Sequence, residues 1–203
     1  MTLLKRFYWR NGAVFGLLAA SLWFAGKAGY MEAKAELAQH LLEQAWMKRL
    51  QDGREYKPWP WADTTPIARL SFPDQDLHFV VLSGASGRNL AFAPAHMSAS
   101  VMPGQNGVSV IGGHRDTHFA FLQWLHVGDQ FELQNPNGKY VSFEVEEIII
   151  ADVRRSEIRL DSQEPVLALV ACYPFDSSDV GGPLRYMVLA KRCCEEPASE
   201  SAI

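Results

Sequence analysis

The sequence predicts an all-β-dominated fold: a β-barrel with short helices, preceded by an N-terminal transmembrane helix and a helical stalk. Three observations carry this prediction. A basic flank and an apolar run open the chain, apolar residues at helical spacing follow, and short β-branched or alternating runs begin at Pro66. Glycine and proline separate these later runs, which is typical of barrels with tight connections. At 203 residues, the chain is long enough for one domain and an appendage.

We expect residues 1–31 to form a basic cytoplasmic flank and a transmembrane signal anchor. Basic residues at positions 5, 6 and 10 precede an apolar run over residues 12–26. A full span needs about 20 residues, and continuing to Met31 adds only Lys27, whose long stem can reach the headgroups. Because basic flanks favour the cytoplasmic side, the rest of the chain would face outward. A cleaved signal peptide is the alternative, although Ala25 and Lys27 do not form its small-residue cleavage pair.

Residues 32–57 are predicted to form a helical stalk or linker. Between Glu32 and Leu50, apolar residues recur at helical spacing: Leu37, Leu41, Leu42, Ala45 and Trp46. Gly53 and the prolines that follow it end the pattern. The helix is either a free stalk or packed on the domain, and in neither case does it carry chemistry.

The domain proper is predicted over residues 58–192, with a C-terminal tail over residues 193–203. Its strand-like runs are PIARLSF, LHFVVLS, NGVSVIGG, DQFELQ, KYVSFEVEEIII, PVLALVA and RYMVLAKR. Helical pieces fit only at Arg88–Phe92 and Thr117–Leu125. Many strands and few helices predict a closed or nearly closed, antiparallel-rich barrel. Trp59 and Trp61 are expected to pin the proline-rich lead-in to it.

Charge and cysteine content exclude two classes of protein. The net charge of −4 argues against nucleic-acid binding, which needs a basic surface. Three cysteines cannot form the disulfide framework of a small secreted fold. Cys193 and Cys194 are adjacent, so a bridge between them would be strained, and we interpret them as semi-exposed thiols.

Three chemically useful residues follow or open predicted strands beside glycine or proline. Cys172 ends PVLALVA before Tyr173-Pro174, His114 ends NGVSVIGG, and Arg185 opens the last strand after Gly-Gly-Pro. Residues at strand ends lie at a barrel rim, so all three could converge on one mouth. Each alone has a bland reading: an inert thiol, a structural histidine and a solvated charge.

The segments GHRDTHFAFL, LALVACYPFD and PLRYMVLAKR resemble the histidine, cysteine and arginine segments of the sortase family, in the same order. The stretches PWPWADTTPIARLSF and SGASGRNLAFAPAHM resemble its proteobacterial, Gram-negative branch. Together these matches cover roughly residues 58 to 192, and several motifs in order are more specific than one. The resemblance implies an eight-stranded barrel and a cysteine transpeptidase. Some sortases use calcium, but no acidic cluster of this sequence is assignable to it, and we expect no cofactor.

Carried onto this sequence, the resemblance makes Cys172 the nucleophile, His114 the general acid and base, and Arg185 the substrate and oxyanion partner. A neighbouring cation favours the reactive thiolate, and a guanidinium suits charge on a tetrahedral oxygen. Ala171, Tyr173 and Asp176 are candidate substrate contacts. The family pattern Thr-Leu-x-Thr-Cys is broken, because Ala168 and Ala171 stand at its threonine positions.

The resemblance also implies a protein partner with a C-terminal sorting signal of the Leu-Pro-x-Thr-Gly type and an amine acceptor, which the sequence does not identify. The anchor predicts an outward-facing catalytic domain, and the Gram-negative resemblance implies that the anchor lies in the inner membrane and the domain in the periplasm. We expect no metal site: His114 and His118 are four apart, but a third ligand is missing. His118, Asp116 and His96 are expected to play supporting or structural roles.

His-Arg-Asp also occurs in protein kinases, but their glycine-rich loop and metal-binding Asp-Phe-Gly are missing here. One alternative is another cell-envelope cysteine enzyme, such as an L,D-transpeptidase or a plain cysteine peptidase. The residues before Cys172 lack the His and Gly of L,D-transpeptidases. A non-catalytic, anchored β-domain that only binds a partner remains the other alternative.

Overall fold

A computed structural model describes residues 2–155, 162–177 and 181–193, with side chains from Val14 onward. Cys194 and the rest of the predicted tail, and the basic side chains of the N-terminal flank, lie outside the described part. The chain divides into two compact units, residues 1–40 and residues 41–203. Helix α1, Thr2–Asp52, runs from the first into the second.

The N-terminal part of α1 has the length and apolar composition of a membrane-spanning helix. Its large apolar side chains from Val14 to Met31 are exposed, as they would be in contact with lipid. The predicted anchor and stalk form a single helix, because the intervening glycines do not break it. At its end, Gly53 takes a left-handed φ of 73°, and its N–H donates to the Arg49 carbonyl at 2.8 Å.

In the part of the chain that the structure describes after α1, there are eight strands, two short helical elements and one further 3₁₀ turn at Pro73–Gln75. The strands are β1 Pro66–Phe72, β2 Leu77–Ser83, β3 Ala95–His96, β4 Gly107–Gly112, β5 Gln130–Gln134, β6 Tyr140–Asp152, β7 Pro165–Cys172 and β8 Leu184–Arg192. The helical elements are α2, Gly87–Leu90, and a 3₁₀ helix at Ala120–Trp124.

The strands close into a barrel in the order β1-β2-β3-β4-β7-β8-β6-β5. This confirms the predicted eight-stranded, mostly β architecture. Among the described residues, β2 with β3 and β4 with β7 pair in parallel, and the other pairs are antiparallel. The prediction missed β3, because two residues carry no periodicity. The helical piece predicted at Thr117–Leu125 is a shorter 3₁₀ helix.

The barrel interior is the main hydrophobic core. It is lined by alternate residues of the strands and by the 3₁₀ helix, as a half-buried strand pattern requires. Phe72 and Phe131 stack there with ring centroids 4.8 Å apart, and Phe121 meets Phe72 edge-on at 4.5 Å. This packed interior holds the strand ends in fixed positions.

The last turns of α1 pack on the outer face of the barrel. Leu42 and Trp46 are fully buried against Val80 and Leu82 of β2 and against Ala95 of β3. Arg49 Nη1 donates to the Pro66 carbonyl at 2.7 Å. Of the two interpretations of the predicted stalk helix, packing on the domain therefore holds for this segment.

The two lead-in tryptophans differ. Trp59 packs edge-on against Phe92 with ring centroids 4.9 Å apart, as predicted. The expectation for Trp61 is wrong, because its side chain is 81% exposed. Proline at position 60 turns the chain, so the two indoles do not share one face.

Candidate active site

Three adjacent strands bring the predicted site residues to one edge of the barrel. Strand β7 lies between β4 and β8, parallel to the first and antiparallel to the second. The C-terminal ends of β4 and β7 and the start of β8 therefore share an edge. Cys172 ends β7, Arg185 is the second residue of β8, and His114 follows β4 by two residues.

The register aligns these residues in rungs across the three strands. Ala168 pairs with Val110 of β4 and Leu189 of β8. One rung further, Val170 pairs with Gly112 and Met187. In the next, Cys172 pairs with Arg185. Directly paired residues have Cβ atoms about 4.5–5.5 Å apart.

His114 lies just beyond the ladder, opposite Cys172. The Gly113 N–H donates to the Val170 carbonyl at 3.0 Å, so the β4–β7 pairing extends one residue past β4. Because side chains alternate along a strand, the position two residues after Gly112 continues the rung of Cys172. His114 is exposed, whereas Cys172 and Arg185 are half-buried.

A tight turn after β4 holds the His114 backbone. The Phe119 N–H donates to the His114 carbonyl at 2.9 Å, and Phe119 is completely buried. A Cβ on Gly113 would lie 2.6 Å from the Phe119 ring. Only glycine therefore allows the backbone before His114 to approach this ring, which accounts for Gly113.

The Arg185 guanidinium is anchored to its own connection. Arg185 Nη1 donates to the carbonyls of Gly182 at 2.6 Å and Leu184 at 2.9 Å. The Tyr173 N–H donates to the Leu184 carbonyl at 3.1 Å, which continues the β7–β8 ladder past Cys172. Both guanidinium bonds use one nitrogen, so the planar group has an orientation fixed by the backbone.

Three aromatic rings pack together at this edge of the barrel, and Tyr186, the cross-strand partner of Ala171, packs with Phe175 against the inner core. Tyr173 stacks on Tyr186 with centroids 6.2 Å apart, and Phe175 meets Tyr186 edge-on at 5.0 Å. Burial, and to a lesser degree the nearby Tyr173, raises the pKa of Tyr186 above its usual value. The predicted substrate contact Tyr173 is thus part of a packed cluster at the mouth of the site.

Of the other predicted contacts, Asp176 is exposed in the connection after β7. Ala171 is 1% exposed and packs with the core residues Leu167 and Leu169. Its side chain is therefore on the inner face of β7, opposite to the face of Cys172. A peptide on the outer face would therefore not touch the Ala171 side chain.

Sequence reasoning missed one residue at this mouth, Arg115. Its Nη2 donates to the Ser177 carbonyl at 2.7 Å, and the side chain is half-buried. The bond joins the turn that carries His114 to the connection that follows Cys172. In the sequence, only its position directly after His114 could have indicated a role for Arg115. The bond itself could not be predicted, because Ser177 is 62 positions away.

His118 and His96, which were expected to play supporting or structural roles, are both at least half-buried. His118 is half-buried edge-on to Phe79 at 6.2 Å; burial first, and then the neighbouring His114, lower its pKa below the usual range. His96 is buried in β3, where its Nε2 lies 2.8 Å from the Val101 carbonyl and 3.0 Å from Ser100 Oγ. Within the described residues, no three His, Cys, Asp or Glu side chains are grouped as metal ligands.

Cys193 lies just after β8, at the opposite end of the barrel from Cys172. Eight residues of strand separate it from the partner of Cys172, which corresponds to roughly 26 Å. Its half-buried thiol therefore cannot reach the candidate site.

Comparisons with known proteins agree with this geometry. The family model described as "Sortase domain" matches residues 70–193. Sortase D of Bacillus subtilis (strain 168) is 33% identical over 124 residues, which cover 61% of this chain and 62% of that protein. The chain thus spans less than two thirds of this relative's length.

Two solved structures share the fold. Sortase A from Corynebacterium diphtheriae is 24% identical, with a TM-score of 0.60 over 68% of this chain and 65% of that one. A Clostridium perfringens Sortase D5 transpeptidase is 22% identical, with a TM-score of 0.62 over 78% of this chain and 99% of that one.

Proposed function

The chain belongs to the sortase family, and from this membership we propose that it is a cysteine transpeptidase. It cleaves a C-terminal sorting signal of the Leu-Pro-x-Thr-Gly type on a partner protein and transfers the acyl fragment to an amine. Cys172 is the nucleophile, His114 the general acid and base, and Arg185 the partner of the substrate carbonyl. The signal type and the three roles come from the family resemblance.

The observation that carries this proposal is the rung formed by Cys172 and Arg185, with His114 following β4 at the same edge. A nucleophile needs a proton carrier and a donor for the developing oxyanion around one reacting carbon. The strand register makes Cys172 and Arg185 direct cross-strand partners, and the β4 extension brings the exposed His114 to the same edge.

The chemistry follows from these positions. The Cys172 sulfur attacks the scissile carbonyl carbon, and the C–N bond breaks as His114 donates a proton to the leaving amine. The Arg185 guanidinium stabilises negative charge on the tetrahedral oxygen. An incoming amine then attacks the thioester, His114 accepts its proton, and the thiolate of Cys172 is released. One amide bond is exchanged for another, so no oxidant or reductant is required.

The outer face of the sheet supports a peptide substrate with apolar residues. Val166, Val170 and Leu189 are half-buried on this face and pack against the buried Val108, Val110 and Ala168. This apolar strip leads along the rungs to Cys172. It suits the Leu-Pro portion of a signal better than a charged peptide.

The remaining parts of the proposal concern location. The apolar part of α1 supports an inner-membrane anchor with the catalytic domain in the periplasm, in a protein of the proteobacterial branch. We propose the division into a flank and anchor over residues 1–31, a stalk over 32–57, a catalytic barrel over 58–192 and a tail over 193–203.

The test uses the full chain in detergent with a library of Leu-Pro-x-Thr-Gly-like peptides and triglycine. Mass spectrometry follows peptide cleavage, a covalent adduct on Cys172 and the triglycine-ligated product. We expect an adduct and ligated product in the parent and neither in Cys172→Ala. Cys193→Ala is the matched control, because its thiol lies at the far end of the barrel.

The other outcomes distinguish the alternatives. Cleavage that added triglycine does not divert into ligated product would indicate a peptidase. A folded chain whose Cys172 forms no adduct and resists thiol probes would indicate a binding domain. Activity that persists in Cys172→Ala would exclude the proposed nucleophile.

A further inference from the structure

The two segments that carry the histidine and the cysteine are held together by one side chain outside the proposed catalytic set. Arg115 directly follows His114, and its Nη2 donates to the Ser177 carbonyl at 2.7 Å. Ser177 is five residues after Cys172, in the connection between β7 and β8. This connection contains Tyr173, Phe175 and Asp176, next to the rung of Cys172.

We propose that Arg115 is a positioning residue for the reaction, which fixes the β7–β8 connection against the turn that carries His114. This inference rests on the proposed function and extends it to a residue that touches no reacting atom. Arg115 acts through the backbone of its own turn and through the carbonyl of Ser177.

Such a contact is needed because strand pairing fixes some residues of the proposed site and leaves others outside the ladder. Cys172 and Arg185 belong to paired strands, so their backbones are fixed by the barrel ladder. His114 has left the ladder, and the connection after Tyr173 has left it too. Arg185 Nη1 holds the far end of this connection through the Gly182 carbonyl. Arg115 holds its near end, at Ser177.

Arginine suits this task for physical reasons. A hydrogen bond from a charged donor to a carbonyl is stronger than one between neutral groups, and partial burial protects it from competition by water. The planar guanidinium loses little freedom for each bond that it makes. A contact of this kind restrains a loop without adding to the core, so its removal should disturb the mouth and spare the barrel.

Proton transfer between His114 and the reacting atoms requires hydrogen-bond distances. A misplacement of about 1 Å can lower the rate roughly a hundredfold. We therefore expect Arg115→Ala to lower kcat/KM for peptide ligation by roughly tenfold to a hundredfold. Alkylation of Cys172 by iodoacetamide requires no proton transfer from His114 to a leaving amine, and Arg185 stays beside it in the ladder, so its rate should change less than about twofold.

The experiment compares the full chain with Arg115→Ala, Arg115→Lys and the control Arg88→Ala. Arg88 is also an arginine of the barrel domain, but its side chain is 75% exposed and pairs only loosely with Asp63 at 3.4 Å. Ligation rate, iodoacetamide alkylation and thermal stability are measured for each. Hydrogen–deuterium exchange of residues 173–177 reports directly on the connection.

The expected pattern is specific to a positioning role. Arg115→Ala should exchange faster at residues 173–177 and ligate more slowly, with an unfolding temperature close to that of the parent and of Arg88→Ala. Arg115→Lys should recover part of both properties, because an ammonium can reach one carbonyl without the fork geometry.

Several results would overturn the inference. Unchanged hydrogen–deuterium exchange at residues 173–177 in Arg115→Ala would mean that the bond does not restrain the connection. This measurement does not depend on catalytic activity. Equal losses of ligation, alkylation and thermal stability would assign Arg115 to general folding. Full recovery of ligation by Arg115→Lys without recovery of exchange would assign the effect to charge alone. A parent that ligates no peptide would instead count against the proposed function.

Discussion

The end of helix α1 should be a structural part of the barrel domain, and Trp46→Ala tests this. Trp46 is completely buried, together with Leu42, on the outer face of β2 and β3. Met47, the next residue of the same helix, is 49% exposed. Both residues lie in the same turn of α1, but only Trp46 faces the barrel. Met47→Ala therefore controls for the effect of an alanine substitution on the helix itself.

The expected loss for Trp46→Ala can be worked out from two opposing effects. Truncating a buried tryptophan costs about 3–5 kcal/mol of the free energy of unfolding. Among the described residues, however, the indole Nε1 of Trp46 is buried without a hydrogen-bond partner. Removing an unsatisfied buried donor recovers part of a penalty of about 1–3 kcal/mol. We therefore expect a net loss of about 3 kcal/mol.

Thermal unfolding of the full chain in detergent measures this loss. Far-ultraviolet circular dichroism monitors the unfolding, because this signal comes from the backbone and does not require the indole. For a chain of this size, about 3 kcal/mol lowers the Tm by roughly 6–12 °C. Met47→Ala should change it by about 2 °C at most, since exposed substitutions stay within about 0.5 kcal/mol. Trp46→Phe keeps most of the packing and loses the unpaired N–H, so it should cost less than about 1.5 kcal/mol.

Equal Tm changes for Trp46→Ala and Met47→Ala would refute this reasoning. They would indicate that the end of α1 is a free stalk that does not stabilise the barrel. The same packing decides where a soluble fragment can begin. A chain that starts at Arg54 would lack Leu42, Trp46 and Arg49 and would leave Val80 and Leu82 uncovered.

Two further predictions concern single residues of the site. Because burial and His114 lower the pKa of His118, the unfolded chain, with a histidine pKa near 6.5, binds the extra proton first. The stability that His118 contributes is therefore complete above about pH 6.5 and is lost as the pH falls below it. The urea midpoint of His118→Gln should fall less between about pH 7 and 5 than that of the parent. An equal fall of the urea midpoint in both proteins would contradict this. Ala171→Thr restores a family residue on the buried inner face, so it should cost about 1–3 kcal/mol by overpacking and leave the preferred peptide motif unchanged; a changed preference in the peptide library would show that the hydroxyl reaches the substrate.

Much of the barrel could be predicted from local sequence, because a strand with one buried face alternates in hydrophobicity. The runs PIARLSF and LHFVVLS coincide with β1 and β2, and the other predicted runs lie within two residues of their strands. Strand β3 could not be found in this way, since two residues show no alternation. The parallel pairing of β4 with β7 could not be predicted either, because the local sequence does not specify the register between segments more than fifty residues apart.

The site was predictable to a different degree at each position. Cys172 and Arg185 could be placed at one rim because proline and glycine mark strand ends, and the structure pairs them directly. The inward orientation of Ala171 could have been read from alternation, counting back from a rim-facing Cys172. The Arg115–Ser177 bond could not, because Ser177 lies in a connection whose path depends on the whole β7–β8 edge.

These differences follow from how the three proposed catalytic residues are held. Cys172 and Arg185 are members of a ladder whose register is set by the entire buried face of β7 and β8, so a shift by one residue would move every core side chain outward. His114 has no such constraint: one ladder extension at Gly113, the Phe119 ring beneath it and the reach of Arg115 restrain its turn. The cysteine–arginine pair is therefore a property of the fold, whereas the position of the histidine depends on a few contacts outside the ladder. A site built in this way fixes the proposed nucleophile through the fold and the proposed proton carrier through the contacts of its turn, so a change at Arg115 should act on proton transfer before it acts on the thiol.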